Sequence, residues 1–214
     1  MYLRDLSIRC SEIELKDYLK SINHVVEIFL YYLPKKYNFC GLGKVNISLA
    51  GFKNNFYAEC FGIAEYCYPD FELKKFQALS LREQEVEILN IITSSFLFIA
   101  KKFHIDPSPI LETSRKTLES NFYLKIPLKI SKCHGSRFIK ANLMVIHKSG
   151  GEDIDLELTN KSQTVVLREN LLSGGHFWNI YYGYSKSKWQ GNTFQIYGRD
   201  GKITYEKDFS KYIN

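Results

Sequence analysis

The chain has 214 residues, of which 45% are hydrophobic, 24% charged and 15% aromatic; this excludes a disordered or fibrous chain and leaves length enough to bury a proper core. The net charge of +6 is uneven: residues 1–120 carry 15 Lys/Arg against 15 Asp/Glu, and residues 121–214 carry 14 against 8. A basic half beside a neutral half points to an acidic partner, whether nucleic acid, lipid surface or acidic protein.

In chain order, residues 2–9 read as a short strand with Tyr2, Arg4 and Leu6 on one face. Ser11 and Glu14 form a capping box that opens a helix running to Leu33, with Leu15, Tyr18, Leu19, Ile22, Val25, Val26, Phe29, Leu30 and Leu33 as its stripe. Pro34 ends it. His24 sits beside that stripe, where a structural role is expected. Val45, Ile47 and Leu49 alternate with Asn46 and Ser48, a half-buried strand. After a turn at Gly51–Asn55 the chain returns as a second strand from Asn54 to Tyr68, broken at Pro69-Asp70.

The stretch from Ser80 to Phe103 predicts the central helix. Ser80 and Glu83 give a second capping box. Leu81, Ile88, Leu89, Ile92, Phe96, Ile99 and Phe103 share one face. Arg82, Glu83, Glu85 and Glu87 lie on the other side of its first two turns. From Ile88 onward Ile91, Leu97 and Phe98 add apolar residues opposite the stripe, so the second half should run through the core. Asn90, Thr93, Ser94 and Ser95 interrupt it too often for a membrane span, which needs about 20 apolar residues. After the break at 106–109, Ile110 to Glu119 forms a third helix with Leu111 and Leu118 seven apart.

Beyond Asn121 the pattern becomes strands: Leu124–Ile130, Ile139–Val145, Ile154–Leu158, Val165–Leu167, Phe177–Tyr184, Thr193–Tyr197 and Ile203–Tyr205. Pro127 cannot donate to a ladder, which puts the first of these at an edge or a bulge. Ser149-Gly150-Gly151 and Asp200-Gly201 supply tight turns. The expected fold is α+β: one antiparallel β-sheet, a meander in the C-terminal half, with two to three helices on one face. A single domain over 1–214 is expected, with a sub-boundary near 106–121 between a helical N-terminal part and a β-rich C-terminal part.

Catalytic, metal and cofactor signatures are not found. No HExxH, GxSxG, GxGxxG or P-loop spacing occurs, and Cys133-His134-Gly135 reads as a turn between strands. Pro69-Asp70 with Glu72-Leu73-Lys74 superficially matches a nuclease pattern, but its acids are contiguous rather than on separate strands. Asp153, Asp155 and Glu157 share a strand face and read as a solvated row paired with a lysine such as Lys125 or Lys129. Five cysteines (Cys10, Cys40, Cys60, Cys67, Cys133) at irregular spacing, with no apolar segment in the opening MYLRDLSIRC, predict free thiols in a reducing cytoplasm.

The stretch Tyr181–Trp189 interleaves rings with positive charge. Tyr184, Lys186, Lys188 and Trp189 are the expected partner-binding residues, joined by Arg199 if the last two strands form a hairpin. Trp189, in a Gly- and Ser-flanked basic loop, has little local apolar sequence to bury it and is expected to lie exposed until a partner covers it. These features predict a non-enzymatic protein-binding module of bacterial type, such as a dedicated immunity protein neutralising a toxin, whose partner has an acidic or neutral surface. The alternatives are nucleic-acid binding through the basic C-terminal sheet, since rings beside lysines suit single strands, and an enzyme whose groups are assembled only in space.

Overall fold

The computed structural model describes residues 2–10, 13–49, 53–69, 71–175, 180 and 182–213, without the side chains of 13–22. The chain divides into two compact units, Met1–Tyr123 and Leu124–Asn214, just beyond the break expected at 106–121. The architecture is α+β, with five helices among the described residues and an antiparallel strand meander in the C-terminal half.

The N-terminal unit runs β1 (Asp5–Cys10), α1 (Ile13–Tyr32), β2 (Lys44–Leu49), β3 (Phe56–Cys60), β4 (Ile63–Tyr68), α2 (Leu73–Gln77), α3 (Leu81–Lys102) and α4 (Ser108–Glu119). Its sheet has the order β1-β2-β4-β3. Here it departs from a purely antiparallel sheet: β1, β2 and β4 are parallel, and β3 is an antiparallel edge strand. The cause is α1, a helical crossover long enough to return the chain for a parallel neighbour. The segment expected as one strand from Asn54 to Tyr68 is a hairpin, turning at Phe61-Gly62 between the paired Cys60 and Ile63. Ser11 and residues 51–52 of the turn expected at Gly51–Asn55 lie outside the described residues.

Alternation along these strands separates two faces. Val45, Ile47, Leu49, Ala64 and Tyr66 are buried, and Tyr66 meets Phe98 of α3 at 5.1 Å between ring centres. On the other face Ser7, Asn46 and Glu65 stand in register. Ser7 Oγ donates to Asn46 Oδ1 at 2.5 Å, Asn46 Nδ2 donates to Glu65 Oε1, and Arg9 approaches the same carboxylate.

Helix α3 begins as its capping box dictates: the Glu83 backbone N–H donates to Ser80 Oγ, and the Ser80 N–H donates to Glu83 Oε2 at 2.8 Å. Ile88, Leu89, Ile91, Ile92, Phe96, Ile99 and Ala100 are buried, while Leu81 and Phe103, the ends of the expected stripe, are exposed. Phe96 lies fully buried between Phe29 of α1 (5.3 Å, edge-on) and Phe39 (5.0 Å, stacked). In α4 the inward face is Ile110, Thr113 and Thr117; Leu111 and Leu118 are exposed. A spacing of seven cannot distinguish that face from its neighbour without the packing of α4 on α3, which Thr93 Oγ1 and Ser114 Oγ join at 2.9 Å.

The C-terminal unit runs β5 (Leu124–Pro127), β6 (Lys132–Cys133), β7 (Ile139–Lys148), β8 (Gly151–Asn160), β9 (Val165–Gly175), β10 (Lys186–Gln190), β11 (Thr193–Tyr197), β12 (Ile203–Asp208) and α5 (Ser210–Ile213). One sheet is ordered β5-β7-β8-β9 with β6 also on β7, and the other β10-β11-β12. Pro127 therefore sits on an edge strand, as its missing N–H requires. Both sheets contribute to one core: Leu143, Ile154, Leu156 and Leu158 from the first, Phe194 and Ile196 from the second, with Phe209. At the β7–β8 turn Gly151 has φ of 119°, and a Cβ there would lie 2.9 Å from the Gly175 carbonyl oxygen. Of the strand expected over Phe177–Tyr184, residues 177–179 and 181 lie outside the described residues, and 180, 182 and 183 are helical rather than extended, the Tyr184 N–H donating to the Ile180 carbonyl at 3.0 Å.

Among the described residues no helix is long and apolar enough to cross a membrane. All five cysteines are free. Phe96→Ala should cost about 3–5 kcal/mol, as loss of a fully buried ring does. Urea unfolding of the variant measures it, and a loss below about 1 kcal/mol would place Phe96 outside the energetic core.

Candidate binding site

Strand β10 splits the expected partner residues by its own geometry. Side chains alternate between faces every residue, so Lys186 and Lys188 point to one side and Ser187 and Trp189 to the other. Pairing with β11 sets Lys186 opposite Tyr197 and Lys188 opposite Gln195. The next strand adds Glu206 opposite Gln195. The outer face of this sheet thus grades from two lysines, through an amide and a phenol, to a carboxylate at the far edge. Tyr197 Oη donates to Gln195 Oε1 at 2.5 Å, and Gln195 Nε2 donates to Glu206 Oε1 at 2.5 Å.

Lys186, Lys188, Tyr197, Gly198, Arg199 and Gly201 line a cleft of about 330 Å³ on that face. Its shape is held by backbone: Ser185 N–H donates to the Tyr197 carbonyl, Arg199 N–H to the Tyr182 carbonyl and Gly198 N–H to the Lys202 carbonyl, all at 2.8–2.9 Å. A side chain at Gly198 would be tight, because a Cβ would stand 3.0 Å from the Tyr182 carbonyl oxygen. The β11–β12 hairpin carries Arg199 to the cleft, with its guanidinium 5.6 Å from the Tyr182 ring centre. Lys188 Nζ lies 5.1 Å from the centre of the Tyr197 ring. Among the described residues neither Lys186 nor Lys188 forms an ion pair.

Tyr184 and Trp189 belong elsewhere. Trp189 is half-buried rather than exposed in a loop. Its ring meets Phe194 at 5.0 Å, Phe209 at 5.9 Å and His134 at 5.0 Å. Its indole N–H donates to the Lys132 carbonyl at 3.2 Å. The local sequence is indeed poor in apolar residues; the partners come from β11 and from the segment before α5, which only the fold brings near. Tyr184 is also half-buried, its hydroxyl donating to the Leu171 carbonyl at 3.4 Å, and burial pushes its pKa up.

The other constellations resolve into structure. Among the described residues no group of three His, Cys, Asp or Glu is placed to hold a metal ion. His134 lies in the turn before β7, with Nδ1 at 2.8 Å from Ser136 Oγ and Nε2 at 3.1 Å from the Gly191 carbonyl oxygen. Glu72 is ion-paired with Lys75 at 2.7 Å, and Asp70 lies outside the described residues. The row on β8 is buried rather than solvated. Lys148 Nζ is 2.5 Å from Asp153 Oδ2, Asn170 donates to Asp155 at 3.0 Å, and Lys125 and Arg168 both reach Glu157 Oε1 at 2.7 Å. Sequence reasoning missed two buried pairs outright, one of them His147 Nδ1 at 3.2 Å from Glu152 Oε1 between β7 and β8. In the other, His24 Nε2 is 2.8 Å from Glu85 Oε1 with both side chains almost fully enclosed, although Glu85 falls among charged neighbours on α3.

Compared with protein-family models, characterised proteins and solved structures, the chain matches none.

Two outcomes test these placements. Trp189→Ala should destabilise the C-terminal unit by about 2–3 kcal/mol, somewhat under the cost of a fully buried ring, read by denaturant unfolding; an unchanged midpoint would return Trp189 to the surface. Burial alone would raise the Glu157 carboxyl, but Lys125 and Arg168 outweigh it and hold it below its ordinary value. A lowered folded value contributes stability above the unfolded carboxylate range, about pH 4.3, and that contribution fades as pH falls below it. Glu157→Gln should accordingly flatten the acid limb of the stability–pH curve, and a limb identical to the parent's would remove this carboxylate from the linkage.

Proposed function

We propose that this chain is a non-enzymatic protein-binding module, and that the cleft of Lys186, Lys188 and Arg199 receives an acidic segment of its partner. The observation that carries the reading is the pair of lysines at i and i+2 on one strand face, opening onto a cleft without an ion-pair partner among the described residues. Residues two apart on a strand are about 6.8 Å apart. An extended segment with acids at alternate positions repeats at the same distance. Arg199 adds a planar donor fork suited to a carboxylate. The hydroxyls of the remaining wall are engaged in the fold: Tyr197 donates to Gln195, Ser185 to the Tyr197 carbonyl and Ser187 to the Ile130 carbonyl.

A dedicated inhibitor that neutralises a toxin or enzyme is one form such a module takes. The positive face favours a target whose own surface is acidic, since complementary potentials speed encounter and fix register. The five free thiols support a reducing compartment such as the cytoplasm. Single-stranded nucleic acid is the weaker fit, because it stacks its bases on exposed ring faces and both Trp189 and Tyr184 turn inward to pack against the core.

Fluorescence anisotropy with an alternating Glu-Ser peptide and with oligothymidylate tests the reading. The parent should bind the peptide, and Lys186→Glu/Lys188→Glu should weaken it by about tenfold or more, the scale of losing two close charge pairs, with the unfolding midpoint unchanged. Equal binding by the variant would sink the cleft. Binding of oligothymidylate alone, falling steeply with salt, would make the acidic partner a nucleic acid.

A further inference from the structure

We propose that the β3–β4 hairpin of the N-terminal unit docks on an anionic lipid surface, with Phe61 entering the membrane interface. Phe61 is 96% exposed. It forms a two-residue turn with Gly62, at φ of 50° and 75°, between the paired Cys60 and Ile63. Such a turn prefers Asn, Asp or Gly in its first place, because positive φ is unfavourable for a bulky side chain. The ring therefore adds almost nothing to the core and occupies a backbone conformation that disfavours it. Both facts point to a role outside the chain.

The surroundings specify the occupant. Leu3 N–H donates to the Tyr37 carbonyl at 3.1 Å, Arg4 N–H to the Gly43 carbonyl at 2.9 Å and Gly43 N–H to the Gly62 carbonyl at 2.8 Å. These bonds tie the start of β1, the loop after α1, the start of β2 and the hairpin tip into one rim. Arg4, Lys35 and Lys36 are exposed on this rim, and none forms an ion pair among the described residues. Asp5 is held by Lys44 at 2.6 Å. Glu59, exposed two residues before Phe61, offsets one of the three cations, and the rim keeps a net positive charge. Directly behind the tip, on the outer face of the hairpin, Ile63 is 41% exposed, so a second apolar side chain backs the leading ring.

A convex ring with cations set back at the level of Gly62 matches the lipid interface in cross-section. Apolar groups settle roughly 5–10 Å into the headgroup–acyl boundary, and lysine and arginine at headgroup level are drawn to anionic lipid. One ring and three cations give weak, reversible attachment of the kind a single anchor supplies.

Sedimentation of the full chain with vesicles of 70:30 phosphatidylcholine:phosphatidylserine, and of phosphatidylcholine alone, is the test. The parent should sediment with the first and not the second. Phe61→Asn should reduce retention by about tenfold, the scale of withdrawing one large apolar side chain, without lowering the melting temperature, because Asn suits the turn. Arg4→Glu/Lys35→Glu/Lys36→Glu should abolish it. Lys186→Glu/Lys188→Glu should leave it unchanged, which separates this surface from the cleft. No sedimentation of the parent with the anionic vesicles, equal retention on neutral ones, or parent-like retention of Phe61→Asn would overturn the proposal.

Discussion

A β-strand sends consecutive side chains to opposite faces, and that constraint organises both units. In the N-terminal unit it sets Val45, Ile47 and Leu49 into the core and leaves Asn46 to join Ser7 and Glu65 on the other side. On β8 it divides Ile154, Leu156 and Leu158 from Asp153, Asp155 and Glu157. On β10 it separates Lys186 and Lys188 from Trp189, so the same five residues both close the core and open the cleft. A one-residue slip of register would exchange those faces, which makes strand pairing, and not residue type alone, the condition for the site.

Charge is handled differently inside and at the surface. Glu157 shares two cations, Asp153 takes one, and His24 with Glu85 joins α1 to α3. Buried charges are costly to remove from water and are tolerated when paired. Removing one partner leaves the other unsatisfied, so these pairs constrain which elements can be neighbours more than they add net stability. Among the described residues Lys186, Lys188, Arg4, Lys35 and Lys36 are not matched in this way. They form the two concentrations of uncompensated positive charge on which the proposed contacts rest, one in each unit. The first lies in a concave cleft suited to an extended acidic chain, the second around a convex aromatic tip.

Much was legible from sequence where local rules suffice. The capping box at Ser80 is an interaction within three residues, and it forms as expected. Phe96 is buried because it lies on the apolar stripe of Ile88, Leu89, Ile92 and Ile99 that the helical period stacks on one face. The meander after Asn121 follows from alternation and turns, although residues 186–190, expected as a loop, form strand β10. The α+β class and the core helix were thus determined by the sequence itself, whereas the shared face of Lys186 and Lys188 required the pairing of β10 with β11.

What the tertiary structure alone decided involves partners distant in the chain. Burial of Trp189 depends on Phe194, Phe209 and His134, and burial of Glu85 on His24, 61 residues earlier. The inward face of α4 was settled by the position of α3. The parallel pairing of β1, β2 and β4 arose from the crossover through α1, since alternation is the same in parallel and antiparallel strands. The turn at Phe61 lacked the usual residue at its first position and emerged only once β3 and β4 were paired. Periodicity reports which residues share a face; which face is covered, and by what, depends on contacts that periodicity does not contain.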